Sequence, residues 1–369
     1  MKRFKSIDIF RGLGMIYIMA SHMIDWWAIE DWLFYIPVSL FSALGAAGFV
    51  FISGVSTMIS YRKRFERVKT DENYNYNTLR KEYLIRGLLI LGLGIVYNGV
   101  VAIEFLDPLI IWKWFIILTV AASLLLAWPF LRTSKMVRIF TAVIIWIVNQ
   151  VVLAFLMKFE GKFDFFGIIF FILYNSLDQN PILAFFTFFI IGTVIGDMIY
   201  DYSNIEMEAE RKKFFKMKII IPILVCGIIL IAASFWFLLP NLFTEKILTI
   251  NTNIWWLTYT LGLDLIIILI LLILEENNFF DTKKSYKILF YFSYYSLTLF
   301  LLQNINYFLF LGILNRFNIW IFIIITMIGY GLFLRLMYKR FEGKFSLKVQ
   351  IGRLTLAIMR RLNNQKPLK

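Results

Sequence analysis

The chain is poor in the side chains on which most metal and nucleophile chemistry depends: its 369 residues include one histidine and one cysteine. Cys226 sits inside an apolar run, so no internal disulfide forms. One imidazole with one thiol is too small a set of soft ligands for a zinc site, and no metal is expected. There is no GxxxxGKS/T phosphate loop, no GxSxG elbow and no HExxH pair. The glycines at 12 and 14 open an apolar helix with no strand before them, which excludes a dinucleotide fold. No repeat of about 20 to 50 residues is visible. Nor is there a pair of Gly- or Pro-broken spans at matching places in two halves, the pattern common in inverted-repeat transporters. Charged residues are only 17% of the chain, against roughly 25% in soluble domains.

What is abundant is apolar surface, at 60% of residues with 18% aromatic, above the roughly 45–50% apolar of a globular chain. A helix crossing the hydrocarbon needs about 20 apolar residues, because its main-chain polar groups must be satisfied internally there. Ten stretches qualify: 9–27, 39–60, 83–103, 109–131, 138–157, 181–200, 218–239, 254–274, 287–309 and 318–337. Residues 164–177 are apolar but too short to cross and read as a re-entrant or interfacial helix leading to Pro181. The sequence therefore predicts an all-α integral membrane protein with one polytopic domain over 1–338. Its longest loops, 61–82 and 201–217, are too short for a soluble domain.

The net charge of +14 is concentrated in short segments between these runs, which argues for membrane topology and against nucleic acid as a partner. With the N-terminus inside, all Lys and Arg except Lys113, Lys158, Lys162, Lys246 and Arg316 lie on the cytoplasmic face. The acids Glu30, Asp31, Glu104, Asp107 and Asp178 lie on the other. Both termini are thus expected in the cytoplasm of a multi-pass cell-membrane protein. The first span has no small-x-small site after it and is expected to stay in the mature chain. The tail, 339–369, places Leu354, Ala357, Ile358 and Leu362 beside Arg353, Arg360 and Arg361, as in a basic amphipathic helix anchored on the inner leaflet.

Ionisable side chains inside a span are costly, and His22 is the sharpest case. Arg11 precedes it by eleven residues, so the two project from nearly one face about 16 Å apart along the axis. Asp25, three residues on, is its neighbour on the helix surface and is expected to orient and stabilise the imidazole. A lone histidine near an interface is as often a packed polar residue; the aligned Arg11 shifts the balance toward function. Trp26 and Trp27 read as interface anchors. Asp264 falls in mid-span and Asp197 late in its span, each needing a partner or water. For Asp264 that partner is a basic group, the acceptor's path or an interhelical bond.

The stretch SIDIFRGLGMIYIMASHMIDWW (6–27) resembles the opening motif of the heparan-alpha-glucosaminide N-acetyltransferase-like membrane proteins, above all their bacterial and archaeal branch. GFVFISGVS (48–56), IRGLLILGLG (85–94), PILAFFTFFIIGTVIG (181–196) and SYYSLTLFLL (293–302) are similar to later spans of that family, so the resemblance covers most of the chain. Gly48 stands where the family pattern usually has proline. In the animal lysosomal members the position of His22 is typically Asn, with the histidine further on, where this chain has none.

The resemblance implies transfer of an acyl group, usually acetyl, from cytosolic acyl-coenzyme A to a sugar amine or hydroxyl reached from the opposite side. His22 and Asp25 would then be the catalytic pair, with His22 acting as general base or as carrier of an acyl-imidazole. Arg11 and Arg86 are expected to bind the coenzyme A phosphates. Ser53, Ser56 and Asn98 are expected near the thioester carbonyl, although residues of these types also serve plain helix packing. Arg62, Lys63 and Arg64 are assigned to topology. Partners on this account are acyl-coenzyme A, a glycan or amino-sugar acceptor and the bilayer, with room for a homodimer. Two rivals stand beside it: a carrier of solutes or lipid-linked glycans using Asp264, Asp197 and His22 as a proton or ion path, and a non-catalytic membrane scaffold.

Overall fold

The computed structural model describes residues 4–29, 41–175, 179–238, 253–280 and 286–362. Fourteen α-helices follow one another among them: α1 Lys5–Trp27, α2 Ala46–Thr70, α3 Tyr76–Glu104, α4 Ile116–Ala127, α5 Lys135–Leu156, α6 Phe165–Tyr174, α7 Ile182–Ser203, α8 Glu208–Phe214, α9 Ile221–Leu238, α10 Ile254–Glu276, α11 Lys287–Tyr294, α12 Ser296–Leu302, α13 Ile319–Phe341 and α14 Leu347–Leu362. The only β feature among the described residues is a single parallel bridge between Ala28 and Leu314.

Among the described residues eight helical segments are long and apolar enough to cross a membrane, and a ninth arises if α11 and the segment Ser296–Phe308, bent at 71°, count as one broken span. The sequence led us to expect ten. The difference is α2, a continuous helix of 25 residues. Ser53, Gly54 and Ser56 dilute its apolar part, and its last third carries Arg62, Lys63, Arg64, Glu66, Arg67 and Lys69. As expected, α6 is a short apolar helix of ten residues, too short to cross. Glu30, Asp31, Asp178, Lys246, Lys283, Lys284 and the tail beyond 362 lie outside the described residues.

The chain divides into two compact units. The first comprises residues 1–49, 216–248 and 258–350. Here α1 packs along α11: a side chain at Gly12 would strike the main-chain carbonyl of Leu289, so only glycine permits this approach. The N-terminus of α1 is capped from α10, where the two carboxylate oxygens of Glu275 accept from the Lys5 and Ser6 amides at 2.9 and 2.8 Å. This satisfies two of the four amide N–H groups that a helix start leaves open and sets an anion at the positive end of its dipole. At the other end of α1 the amides of Gly312 and Leu314 donate to Trp26 O and Trp27 O, and the Ile29 amide donates to Leu314 O. Gly227 of α9 and Gly262 of α10 bring those helices into contact.

The second unit comprises residues 50–215, 249–257 and 351–369. Its centre is α7, which packs against α4 and α5. Against α2 it makes main-chain contact: a Cβ at Gly54 would meet Phe189 O, one at Gly192 would meet Phe51 O, and one at Gly196 would meet Val55 O. Small residues at such a seam let two membrane helices approach closely enough for dispersion to hold them. Side-chain caps start α3 at Asn75, α5 at Ser134 and α6 at Asp164. On α14 the residues Ile351, Thr355 and Met359 form a buried stripe, while Leu354, Leu362, Arg353, Arg360 and Arg361 are exposed.

Candidate active site in the first helix

Continuous helix from Lys5 to Trp27 keeps the register on which the Arg11–His22 alignment depends, with the two residues within about 20° of each other around the axis. Arg11 is buried at 8% exposure. The His22 ring is half-buried and stacks on Trp26, one turn further on, with centroids 5.1 Å apart and planes 14° from parallel. Trp26 meets Tyr307 edge to face at 5.8 Å. Met19 and Met23, fully buried, hold the helix in its packing on either side of His22.

Trp27 departs from the interface role expected of it. It is 0% exposed, packs on Phe310, and donates from Nε1 to Asn306 O at 2.7 Å. Asn306 in turn accepts from the Tyr330 hydroxyl at 3.0 Å. A buried indole finds a partner for its N–H, and here it joins α1 to the segment beyond the bend. Asp25 is exposed, and no hydrogen bond or ion pair joins it to His22; what the imidazole has beside it is an indole face.

The other expected site residues belong to the second unit. Arg86 lies half-buried on α3. Ser53 and Ser56 lie on α2, where the Ser56 hydroxyl donates to Ile52 O at 2.8 Å. Asn98 is fully buried, and both amide hydrogens are used, donating to Ile111 O at 3.1 Å and Lys113 O at 2.7 Å. It closes the turn after α3 and has no donor left for a thioester carbonyl.

Asp197 and Asp264, marked in the sequence as charges inside spans, have surroundings that the sequence did not give. In the second unit Arg138, fully buried, pairs with Asp197 and donates to Thr193 O at 3.0 Å; Asp197 also pairs with Arg62. Arg62 reaches Asp201 at 3.1 Å, and Lys135 adds a second cation there at 2.5 Å. Arg62, assigned to topology, is thus part of a network across α2, α5 and α7. In the first unit Asp264 is 0% exposed, and neither carboxylate oxygen has a hydrogen-bond partner. It lies against Gly48, where an added Cβ would sit 2.9 Å from Oδ1, so the interhelical bond considered for it is not formed. The only advance signal for either was a charge at the wrong depth. Among the described residues no three of His, Cys, Asp or Glu gather as a metal site would require.

Helices of membrane-crossing length, the first of them carrying a single imidazole against an indole, define an integral membrane protein. The family model described as heparan-alpha-glucosaminide N-acetyltransferase, catalytic, matches residues 3–227, and the chain belongs to that family. It is accordingly a membrane acetyltransferase. No curated protein and no solved structure matches it.

Proposed function

We propose that the protein transfers an acetyl group from cytosolic acetyl-coenzyme A to the amine or hydroxyl of a sugar reached from the opposite face, with His22 at the point of transfer. The observation that carries this is the family match over 3–227, which takes in the whole Arg11–His22 helix. The orientation, with both termini cytoplasmic, rests on the crowding of Lys and Arg into one set of loops. Arg11, at the cytosolic end of that helix, supplies a guanidinium to the donor's phosphates.

His22 acts in its unprotonated form. As general base it accepts the acceptor's proton while the amine or hydroxyl attacks the thioester carbonyl; the new C–N or C–O bond forms, the C–S bond breaks and the thiolate leaves with the proton. As nucleophile it attacks the thioester carbonyl, the C–S bond breaking as the coenzyme A thiolate leaves, and the acetyl-imidazole is then attacked by the acceptor, whose proton passes to the thiolate as the C–N bond to the ring breaks and frees the imidazole. A carrier using Asp197 would need a carboxylate able to load and release a proton, and Asp197 is held between two guanidiniums.

Purified protein given radiolabelled acetyl-coenzyme A and glucosamine tests the proposal. Label moves to the sugar in wild type and falls at least about a hundredfold in His22→Ala, the scale of a lost acid–base group, with thermal unfolding unchanged. Label retained on the protein without acceptor identifies the acetyl-imidazole route. Wild-type turnover in His22→Ala would refute the mechanism.

A further inference from the structure

In the second unit, where the C-terminal half of α2, the start of α3 and the turn between α4 and α5 meet, aromatic rings gather around Trp128. Tyr83 lies 4.9 Å from it, Tyr76 5.7 Å and Tyr61 6.0 Å between ring centroids. The Tyr83 hydroxyl is tied to Leu124 O at 2.6 Å, which fixes its ring. Tyr61 is 4% exposed and its hydroxyl has no partner. Over this group lies Arg132, its guanidinium carbon 4.8 Å from the centre of Tyr76 and 5.9 Å from that of Phe65.

Arg132 differs from the arginines around it. Arg62, Arg64, Arg67 and Arg138 are each paired with a carboxylate, whereas no described carboxylate pairs with Arg132, which is exposed and has its guanidinium carbon over the Tyr76 ring. A guanidinium is planar, and this exposed one carries N–H donors with no described carboxylate on them. The face suits a flat π system and the edge suits a phosphate oxygen, the combination by which planar bases are held on arginine and aromatic platforms. The platform sits where the span Pro108–Phe130 ends, among the Lys- and Arg-rich loops assigned to the cytosol.

We infer that the Tyr76–Arg132 stack, backed by Trp128, is a binding platform for a purine nucleotide, and that its occupant is the adenosine phosphate end of the acyl donor. The inference rests on the donor named under the proposed function, and its test is separable from that proposal. The probe is adenosine 3′,5′-bisphosphate, which has the base and phosphates of the donor but no thioester, titrated into purified full-length protein in nanodiscs with Trp fluorescence as readout.

Wild type binds it saturably. Arg132→Ala and Tyr76→Ala weaken it at least about tenfold, the scale of one lost base-stacking partner. Arg132→Lys, which keeps the charge and loses the plane, weakens it nearly as much, and Tyr76→Phe restores affinity. The same Ala variants raise KM for acetyl-coenzyme A and leave turnover of S-acetyl-pantetheine, which has no nucleotide, as in wild type. Unchanged nucleotide affinity in both Ala variants would overturn the platform, as would displacement of the probe by equimolar inorganic phosphate. Nucleotide binding without any acetyl transfer in wild type would sink the proposed reaction and leave the platform standing; normal transfer with no probe binding would do the reverse.

Discussion

Replacing Asp197 by Asn tests whether the buried charge network in the second unit holds α5 to α7. Asp197 is 4% exposed and serves two cations, Arg138 and Arg62. On its loss Arg62 still has Asp201 at 3.1 Å. Arg138 does not fare as well: it is 0% exposed, its Nε already has no partner, and Thr193 O and Oγ1, at 3.0 and 3.2 Å, would be its remaining acceptors. A buried cation stripped of its anion costs about 3–5 kcal/mol. Arg138→Met should cost less, about 1–2 kcal/mol, because Asp197 keeps Arg62 and the buried cation is removed together with its desolvation cost. The double variant Arg138→Met with Asp197→Leu should be less damaged than the sum of the single changes. Unfolding by SDS titration in mixed micelles, followed by Trp fluorescence, measures all three. The loss in Asp197→Asn should persist at about 1 M salt, since the pair is shielded from ions by burial. A cost below about 1 kcal/mol for Asp197→Asn, or a larger cost for Arg138→Met, would refute the account.

Gly192→Ala drives a Cβ into Phe51 O, a main-chain atom that cannot swing aside, and should lower stability by about 1–3 kcal/mol. Gly99→Ala, with open space around it, serves as the control and should be neutral or slightly stabilising in the same titration. Trp27→Ala should cost about 3–5 kcal/mol, whereas Trp27→Phe, which keeps most of the volume and loses the bond to Asn306 O, should cost about 1–2 kcal/mol; a Trp27→Phe variant as stable as wild type would show that the indole N–H contributes nothing. Asp71, in the loop between α2 and α3, has its carboxyl held below the ordinary carboxylate range, chiefly by hydrogen bonds from Arg67 and also by the Asn73 amide. A depressed folded-state pKa gives stabilisation that is complete above the unfolded value of about 3.9 and is lost as pH falls through the folded one. An NMR titration of the Asp71 carboxyl should therefore show a midpoint below that value, and Arg67→Ala should move it up.

How much of this was legible in the sequence follows from what hydropathy measures. Transfer of apolar side chains into hydrocarbon is a property of each segment alone, so α1, α3, α5, α7 and α13 could be read directly, and the shortness of α6 was visible in the same way. For α2 the same measure gave a span, 39–60, where the structure has a helix running on to Thr70, its apolar part thinned by the glycines and serines that let it approach α7. Residues whose role is set by a partner on another helix were the hardest to place. Trp27 looked like a belt residue until Asn306 and Phe310 were seen around it. Asn98 looked like an oxyanion donor until its hydrogens were found spent on a turn. Arg138 counted only as one more inside cation, because nothing local says that Asp197 lies two helices away in sequence and against it in space. The Arg11–His22 alignment was legible because it needs only the pitch of one helix.

Cap and bridge together decide how freely that helix can swivel. Glu275 holds the amides at one end of α1, and the strand-like exchange with Gly312, Leu314 and Ile29 holds the other. Any change in the azimuth of α1 would have to rupture main-chain bonds at both extremities at once. The bearing of the imidazole is therefore fixed by the scaffold, and only rotation about its own side-chain torsions remains. On the proposed reaction, reactants come to that ring along their own paths, and a cycle that needs motion finds it in the elements that lack such moorings.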